Sequence, residues 1–339
     1  MFAVKHVVVF GEALFDVYAS RVHAPEEVVA GPRAGGESRG EGTGRGLSLQ
    51  AFPGGAPCNV AAWLAALGIP VSLVAGFSDD LLAGVLRREM SDRGIDLTHS
   101  VTLAGSRTPL ALVTTGPGGE RSFRLYLRGT PVEMLDPSHL ESDPLAGAGW
   151  FHFGGVLPAF PRGLELTRHL ALEAKRRSAA TSCDVNIRPE VWEEGGAPFT
   201  HFLDLLKGVD LIKVSAEDFE WMRSRSAGAL SSPEDLLSLG CRLVAFTMGA
   251  GGAELLPQAP LDTGRRRPRR FPLRLQLLGL LRGGAEILQG GQRPRLFHQR
   301  LFALADDVLL GADALGEGGH HALEALLHRL ASASIDRRR

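Results

Sequence analysis

Residues 58–94 read CNVAAWLAALGIPVSLVAGFSDDLLAGVLRREMSDRG, and this stretch decides the fold. CNVAAWLAALG carries apolar residues at helical spacing and closes at Gly68, a residue type suited to the turn that ends a helix. IPVSLVAGFSDD follows as a β-strand, and LLAGVLRREMSDRG as the next helix. Strand and helix in alternation imply βαβ units, and βαβ units imply a mostly parallel sheet.

Outward from this stretch the rhythm persists. HVVVFGEALFDVYA, beginning at His6, is a β-branched strand that ends at Gly11. Beyond it, GWFHFGG, the helix RGLELTRHLALEAKRR, and ATSCDVNIRP repeat the alternation, and FLDLLKG, VDLIKVS and the helix AEDFEWMRSRS continue it to residue 226. RLVAFTMGAGGAELL is the last segment with a clear pattern. Two segments break the rhythm. Residues 31–46 are glycine-rich and polar without periodicity, and read as a mobile loop. TPLALVTTGPGGERSFRLYLRG, Thr108 to Gly129, places two extended runs around a Gly-Pro-Gly-Gly turn, which predicts a hairpin in a small accessory sheet. No repeat of 20–50 residues is visible.

Bulk composition narrows the function classes. The 339 residues are 44% hydrophobic and 22% charged, with net charge −1. That is ordinary for a globular chain and lacks the basic excess a general nucleic-acid binder needs. Cys58, Cys183 and Cys241 are widely spaced, so neither a disulfide framework nor a zinc site is expected, and a cytoplasmic setting is. The apolar start reads as a buried strand rather than a signal peptide. No run approaches the roughly 20 apolar residues of a membrane helix.

Four places could carry chemistry. FPGGAPCNVA puts Gly54 and Gly55 before a helix with Asn59 near its first turn. Free N–H groups there can meet a ligand, or the glycines can simply form a capping turn. In DVNIRPEVW, Asn186 and Arg188 lie just past a strand end, where ligands of open α/β sheets gather. An Asx turn before Pro189 is the plainer alternative. Glu217 and Asp218 open a helix, where acids complement the dipole or hold a hydrated Mg²⁺. Thr247, Gly249 and Gly252 form a turn that either packs on a nucleotide or links two strands.

Taken in order, GEALFD, PGGAPCNVA, LGIPVSLVAGFSDD, GERSF, HFGG, DVNIRPEVW, KVSAEDFE and FTMGAGGAELL resemble the ribokinase-like (PfkB) carbohydrate kinases over about residues 7 to 264. The fructokinase and 2-keto-3-deoxygluconate kinase branch is the most similar. The resemblance implies a doubly wound, mostly parallel α/β sheet with a small β lid, formed from about 17–50 and 107–130. It implies ATP- and Mg²⁺-dependent transfer of the γ-phosphoryl group to a hydroxyl of a small sugar, and a homodimer through the lid. By position, Asp16 would bond sugar hydroxyls from the end of the first strand, with Gly54, Gly55 and Asn59 shaping the sugar site. Asn186 and Arg188 would lie near the sugar and the transferring phosphate. Asp218, with Glu217 beside it, falls at the metal-linked acid, and Ser215 stands at that motif's asparagine. Thr247, Gly249 and Gly252 fall on the nucleotide turn.

The departure comes at Asp262. The family pattern runs Asp-Thr-x-Gly-Ala-Gly-Asp, its glycine turn holding phosphate and its last Asp acting as the base. Here Asp262, Thr263 and Gly264 begin that cofactor-binding stretch, but Arg265, Arg266 and Arg267 replace its core. Arginine stays protonated and cannot be a general base, so no catalytic residue is identified. Gly-Ala-Gly-Asp-Ala written in GC-rich codons and read out of register gives Arg-Arg-Arg. Residues 265–339 are therefore expected to be an atypical, frame-shifted segment, although ALGEGGHHALEALLHRLAS keeps a helical pattern. Two functions compete: a sugar kinase impaired as written, and a non-catalytic sugar- or nucleotide-binding protein of the same fold.

Overall fold

The computed structural model describes residues 6–19, 49–115 and 121–258. The first apolar run forms β1 (His6–Phe10), after which the chain leaves its sheet at Gly11. β2 (Leu14–Ala19) and β3 (Leu49–Gly54) belong to a second sheet. α1 (Ala56–Ala66) leads to β4 (Val71–Val74), the short β5 (Gly76–Phe77), α2 (Leu81–Asp92) and β6 (Val101–Thr102). The expected hairpin is β7 (Leu110–Thr115) and β8 (Arg121–Tyr126). Then come α3 (Pro131–Met134), β9 (Ala148–Gly154), α4 (Pro161–Arg176), β10 (Ala180–Asp184), α5 (Pro189–Gly195) and α6 (Phe199–Leu206). β11 (Leu211–Ser215), α7 (Ala216–Arg225), β12 (Leu243–Thr247) and β13 (Ala253–Pro257) complete the described elements.

The larger sheet has the order β13-β12-β11-β10-β9-β1-β4. Every neighbouring pair is parallel except β12 with β13. Its strands are nearly continuous apolar runs because helices cover both faces. Phe10, Phe151, Phe153, Ile212 and Val244 pack with Leu166 and Leu170 of α4 and Met222 of α7. Val9 and Leu73 pack on the other side with Ala61 of α1 and Leu86 and Met90 of α2. Each such side chain contributes about 1.5–3 kcal/mol by leaving water. α4 shows why the sequence obeys. Leu164, Thr167, Leu170, Ala171 and Ala174 share its buried stripe, Pro161 opens it, and Lys175 and Arg176 complement the dipole at its end.

The smaller sheet has the order β3-β2-β7-β8. β2 runs antiparallel to β3 and parallel to β7, and β7 runs antiparallel to β8. One expectation is corrected here. The run from His6 to Ala19 is two strands in two sheets, so Asp16 sits inside β2 rather than at the end of the first strand. Gly11, Glu12 and Ala13 interrupt the pairing between them. Residues 20–48, the Gly-Pro-Gly-Gly turn and residues 259–339 lie outside the described residues, and with them the 31–46 loop and the arginine run.

Connectivity fixes where a ligand would go. From β1 the chain crosses to β4 on one side, while β9 lies against β1 on the other side and the later strands extend away from it. Strand order therefore reverses between β1 and β9, and a crevice opens outside their carboxyl ends.

Candidate functional site

The smaller sheet and the glycine pair build one wall. Asp16 is registered opposite Phe52, and Gly54 opposite Leu14. A Cβ on Gly54 would collide with the Asp16 carboxylate, so only glycine lets β3 lie this close. Gly55 caps α1, Pro57 lies in its first turn, and the Asn59 amide donates to the Gly55 carbonyl at 2.9 Å. Asn59 is half-buried in that first turn. Burial pushes the Asp16 carboxyl up to about 6, against the pull of the Arg188 guanidinium.

The DVNIR segment forms the facing wall. Val185 N–H donates to the Lys213 carbonyl at 3.0 Å, which carries the chain past the end of β10. Asn186 then adopts φ +40, a left-handed conformation that asparagine tolerates. Arg188 precedes α5 in extended conformation and donates from Nη1 to the Ile187 carbonyl at 2.9 Å. Its guanidinium carbon lies 5.7 Å from the ring centre of Phe123 on β8. The Arg188 charge also acts on both Asp16 and Glu12. The smaller sheet and the segment after β10 thus bring Asp16, Gly54, Phe123 and Arg188 near one another.

Asp218 is buried at the start of α7. Its carboxylate accepts from Ile187 N–H at 3.0 Å and Ser215 N–H at 3.3 Å, while its own N–H donates to Ser215 Oγ at 3.1 Å. The reciprocal pair with Ser215 is a capping box for α7. Direct metal ligation would pull the carboxylate off these amides. A metal's bound water, however, could still reach its remaining lone pairs, so the residue fits a hydrated Mg²⁺ and not a directly ligated one. Glu217 is the neighbouring first-turn acid. Among the described residues no group of three or more His, Cys, Asp and Glu is arranged to hold a metal.

Thr247 ends β12 in register with Ser215 of β11. A tight turn follows, with Met248 N–H donating to the Gly252 carbonyl at 2.8 Å. Gly249 has φ +55, and among the described residues nothing lies within 4 Å of where its Cβ would be. Asp262, Thr263 and Gly264 lie outside the described residues.

Sequence reading missed three groups. Glu12 is 3% exposed, and its Oε2 accepts from Val156 N–H at 3.1 Å. Burial raises its carboxyl to about 7 despite those hydrogen bonds and Arg188. Lys213 and Asp184 form a buried ion pair. His152 Nδ1 lies 2.9 Å from Ser182 Oγ, which also accepts from Trp150 Nε1 at 2.7 Å. Burial holds His152 down to about 4, so it is neutral at physiological pH. The usable signal was a polar residue at alternate positions of otherwise apolar strands, His in AGWFHFG, Ser and Asp in ATSCD and Lys in LIKVS.

Comparison with known proteins bears on the family and the fold. A model of the pfkB family of carbohydrate kinases matches residues 4–261. Probable fructokinase-3 of Arabidopsis thaliana is 30% identical over 252 residues, 73% of this chain and 66% of that protein. Fructokinase-1 of Oryza sativa subsp. japonica is 33% identical over 171 residues, 50% of this chain and 53% of that protein. The matched part of the chain thus spans less than two thirds of either relative. Among solved structures, a fructokinase from Xylella fastidiosa superposes with TM-score 0.64 at 24% identity, covering 76% of this chain and 74% of that one. A fructokinase structure from the same organism with bound ATP gives TM-score 0.63 at 20% identity, covering 97% and 94%. These two likenesses speak to the fold. With the family match running through every motif up to the nucleotide turn, the chain belongs to the pfkB family of carbohydrate kinases.

Proposed function

We propose that the cleft is the sugar site of a fructokinase-like kinase, which transfers the γ-phosphoryl group of ATP to a hydroxyl of a keto sugar or sugar acid. The observation that carries this reading is the meeting of Asp16, packed on Gly54, with Arg188. Asp16 and Asn59 can accept and donate to sugar hydroxyls. Arg188 can fork onto the phosphoryl group as it transfers, and Asn186 lies two residues before it. Thr247, Gly249 and Gly252, together with Asp262, Thr263 and Gly264, would receive the nucleotide, and Mg²⁺ would be held through water near Asp218 and Glu217. When bound, ATP supplies the phosphoryl group and Mg²⁺ neutralises its charge. The smaller sheet would serve as a lid that excludes water, since ATP hydrolysis competes with transfer. Leu49 and Tyr126 are exposed on that sheet, which supports dimerisation through it. Among the described residues no helix is long and apolar enough to cross a membrane.

The polypeptide as written is proposed to turn over poorly. The family match ends at residue 261, just before Arg265, Arg266 and Arg267 stand in place of the glycine turn and base. Those arginines favour a second reading, a protein that binds sugar or nucleotide without turnover. Losing the base costs about 10²–10⁴-fold in rate and losing the aligned donors about 10²–10³-fold more. The test sets this chain beside a variant carrying Gly-Ala-Gly-Asp-Ala after Thr263 and the tail of the corrected reading frame. ATP and D-fructose binding and phosphorylation are measured on both. Binding in both with turnover only in the variant is the expected result. Equal turnover in both would overturn the impairment, and binding in neither would overturn the sugar-kinase reading.

A further inference from the structure

We propose that Glu12 is a positioning residue of the sugar cleft, its buried carboxyl pinning the Gly55–Ala56 turn and the Gly155–Val156 turn to each other where the strand order reverses. This rests on the sugar-kinase reading for its functional consequence, though not for its geometry.

Glu12 follows β1, and the two turns it touches come from different directions. On one side is Gly155, just past β9. A Cβ there would collide with both carboxyl oxygens, so the carboxyl lies directly on the backbone, and Val156 N–H donates to Oε2 at 3.1 Å. On the other side the Ala56 amide, the first of α1, favours the charged carboxyl, and the Glu12 backbone carbonyl packs on the same turn, 2.7 Å from where a Gly55 Cβ would be. The first amides of a helix have no partner within the helix, and the positive end of its dipole favours an acid. One residue therefore ties two turns together, its carboxyl bonded to the Val156 amide on one side and its carbonyl packed on Gly55 on the other. Gly55 follows Gly54, the residue pressed against Asp16, so a shift of the α1 turn is passed directly to the proposed sugar ligand.

The surroundings make a purely packing role a poor account. A buried carboxyl is costly unless its hydrogen bonds are made, and an apolar residue of that size would leave the Val156 amide unpaired. The titratable groups that face Glu12 are Arg188 from the entry to α5 and Cys58 from α1. Burial raises the carboxyl to about 7, so its charge changes near neutral pH, beside a cleft whose other acid, Asp16, titrates at about 6.

The test uses the full chain with Glu12→Ala, Glu12→Gln and, as a control for lost stability, Leu166→Ala in the distant core under α4. D-fructose is titrated calorimetrically at pH 6 and pH 8, and exchange of the Ala56 and Val156 amides is followed by hydrogen–deuterium exchange. Glu12→Ala is expected to weaken D-fructose binding at least tenfold relative to Leu166→Ala and to speed exchange of both amides at least tenfold. Glu12→Gln, which keeps one acceptor oxygen, should recover most of the affinity and remove the part of the pH dependence that Glu12 supplies. Affinity in Glu12→Ala within twofold of Leu166→Ala overturns the positioning role. If the unsubstituted chain binds no D-fructose, the sugar-kinase reading falls and the amides decide. Exchange no faster in Glu12→Ala than in Leu166→Ala then overturns the pin itself.

Discussion

Lys213 Nζ lies 2.8 Å from Asp184 Oδ1 across the ends of two parallel strands, and both side chains are 5% exposed. The pair sits next to the segment that carries Asn186 and Arg188, on the residue where β10 ends. Removing one partner strands the other charge in the interior, which typically costs about 3–5 kcal/mol. Lys213→Met should therefore lower the urea-derived unfolding free energy by that amount. Lys213→Met combined with Asp184→Leu should recover most of the loss, because neither charge then remains. A double variant as unstable as the single one would show that the strand ends need the polar groups themselves.

Stability should fall as pH rises through the weakly acidic range. Glu12 and Asp16 have folded-state carboxyls raised to about 7 and about 6 by burial. The folded chain thus holds protons that the unfolded chain has already released. The advantage of the protonated form is complete below the ordinary carboxyl range and lost as pH climbs toward the raised values. For Glu12, which is fully buried, the change is roughly 3 kcal/mol between pH 4.5 and 7.5. Glu12→Gln should remove that part of the slope. Urea unfolding of both proteins at the two pH values measures it, and parallel slopes would refute the buried-acid assignment.

How much of this was legible follows from where the signal was periodic. The alternation around residues 58–94 predicted the doubly wound sheet because a parallel strand buried on both faces must be apolar throughout. Gly11 marked the end of the first strand, but Phe15 and Val17 are as apolar as Val8 and Val9, and nothing local says that the chain enters a second sheet there. Asp16 was visible as an acid after a strand, but its dependence on Gly54 is a cross-strand relation with no sequence spacing of its own. Glu12 was hidden because its partners, Ala56 and Val156, are backbone amides 44 and 144 residues away. Backbone donors leave no mark in residue types.

Asp218 holds two elements together. Its carboxylate accepts from the Ile187 amide in the DVNIR segment and closes the capping box on α7. Loss of a cap costs about 0.5–2 kcal/mol, and a buried amide left unpaired about 1–3 kcal/mol. Asp218→Ala should therefore cost about 2–4 kcal/mol without any ligand present, with faster exchange at the Ile187 amide. If unfolding in the absence of ATP and metal were unchanged while affinity for Mg²⁺-ATP dropped, the residue would be a metal acid rather than a structural brace.

Arg188 should set the proton affinity of the cleft. Its guanidinium lowers the carboxyl values of both Asp16 and Glu12, and it rests near the ring of Phe123 from the other sheet. Arg188→Met removes the charge, so both carboxyls should titrate higher. Arg188→Lys keeps the charge but loses the planar group that packs on an aromatic face and forks onto an anion. It should leave the Asp16 titration near its original value while weakening the tie to Phe123. Carbon-13 NMR of the carboxyl groups across pH 4 to 9 separates the two variants. Identical titration curves in the original chain, Arg188→Met and Arg188→Lys would show that Asp16 and Arg188 do not sense each other, and the two walls of the cleft would then have to be assigned to separate sites.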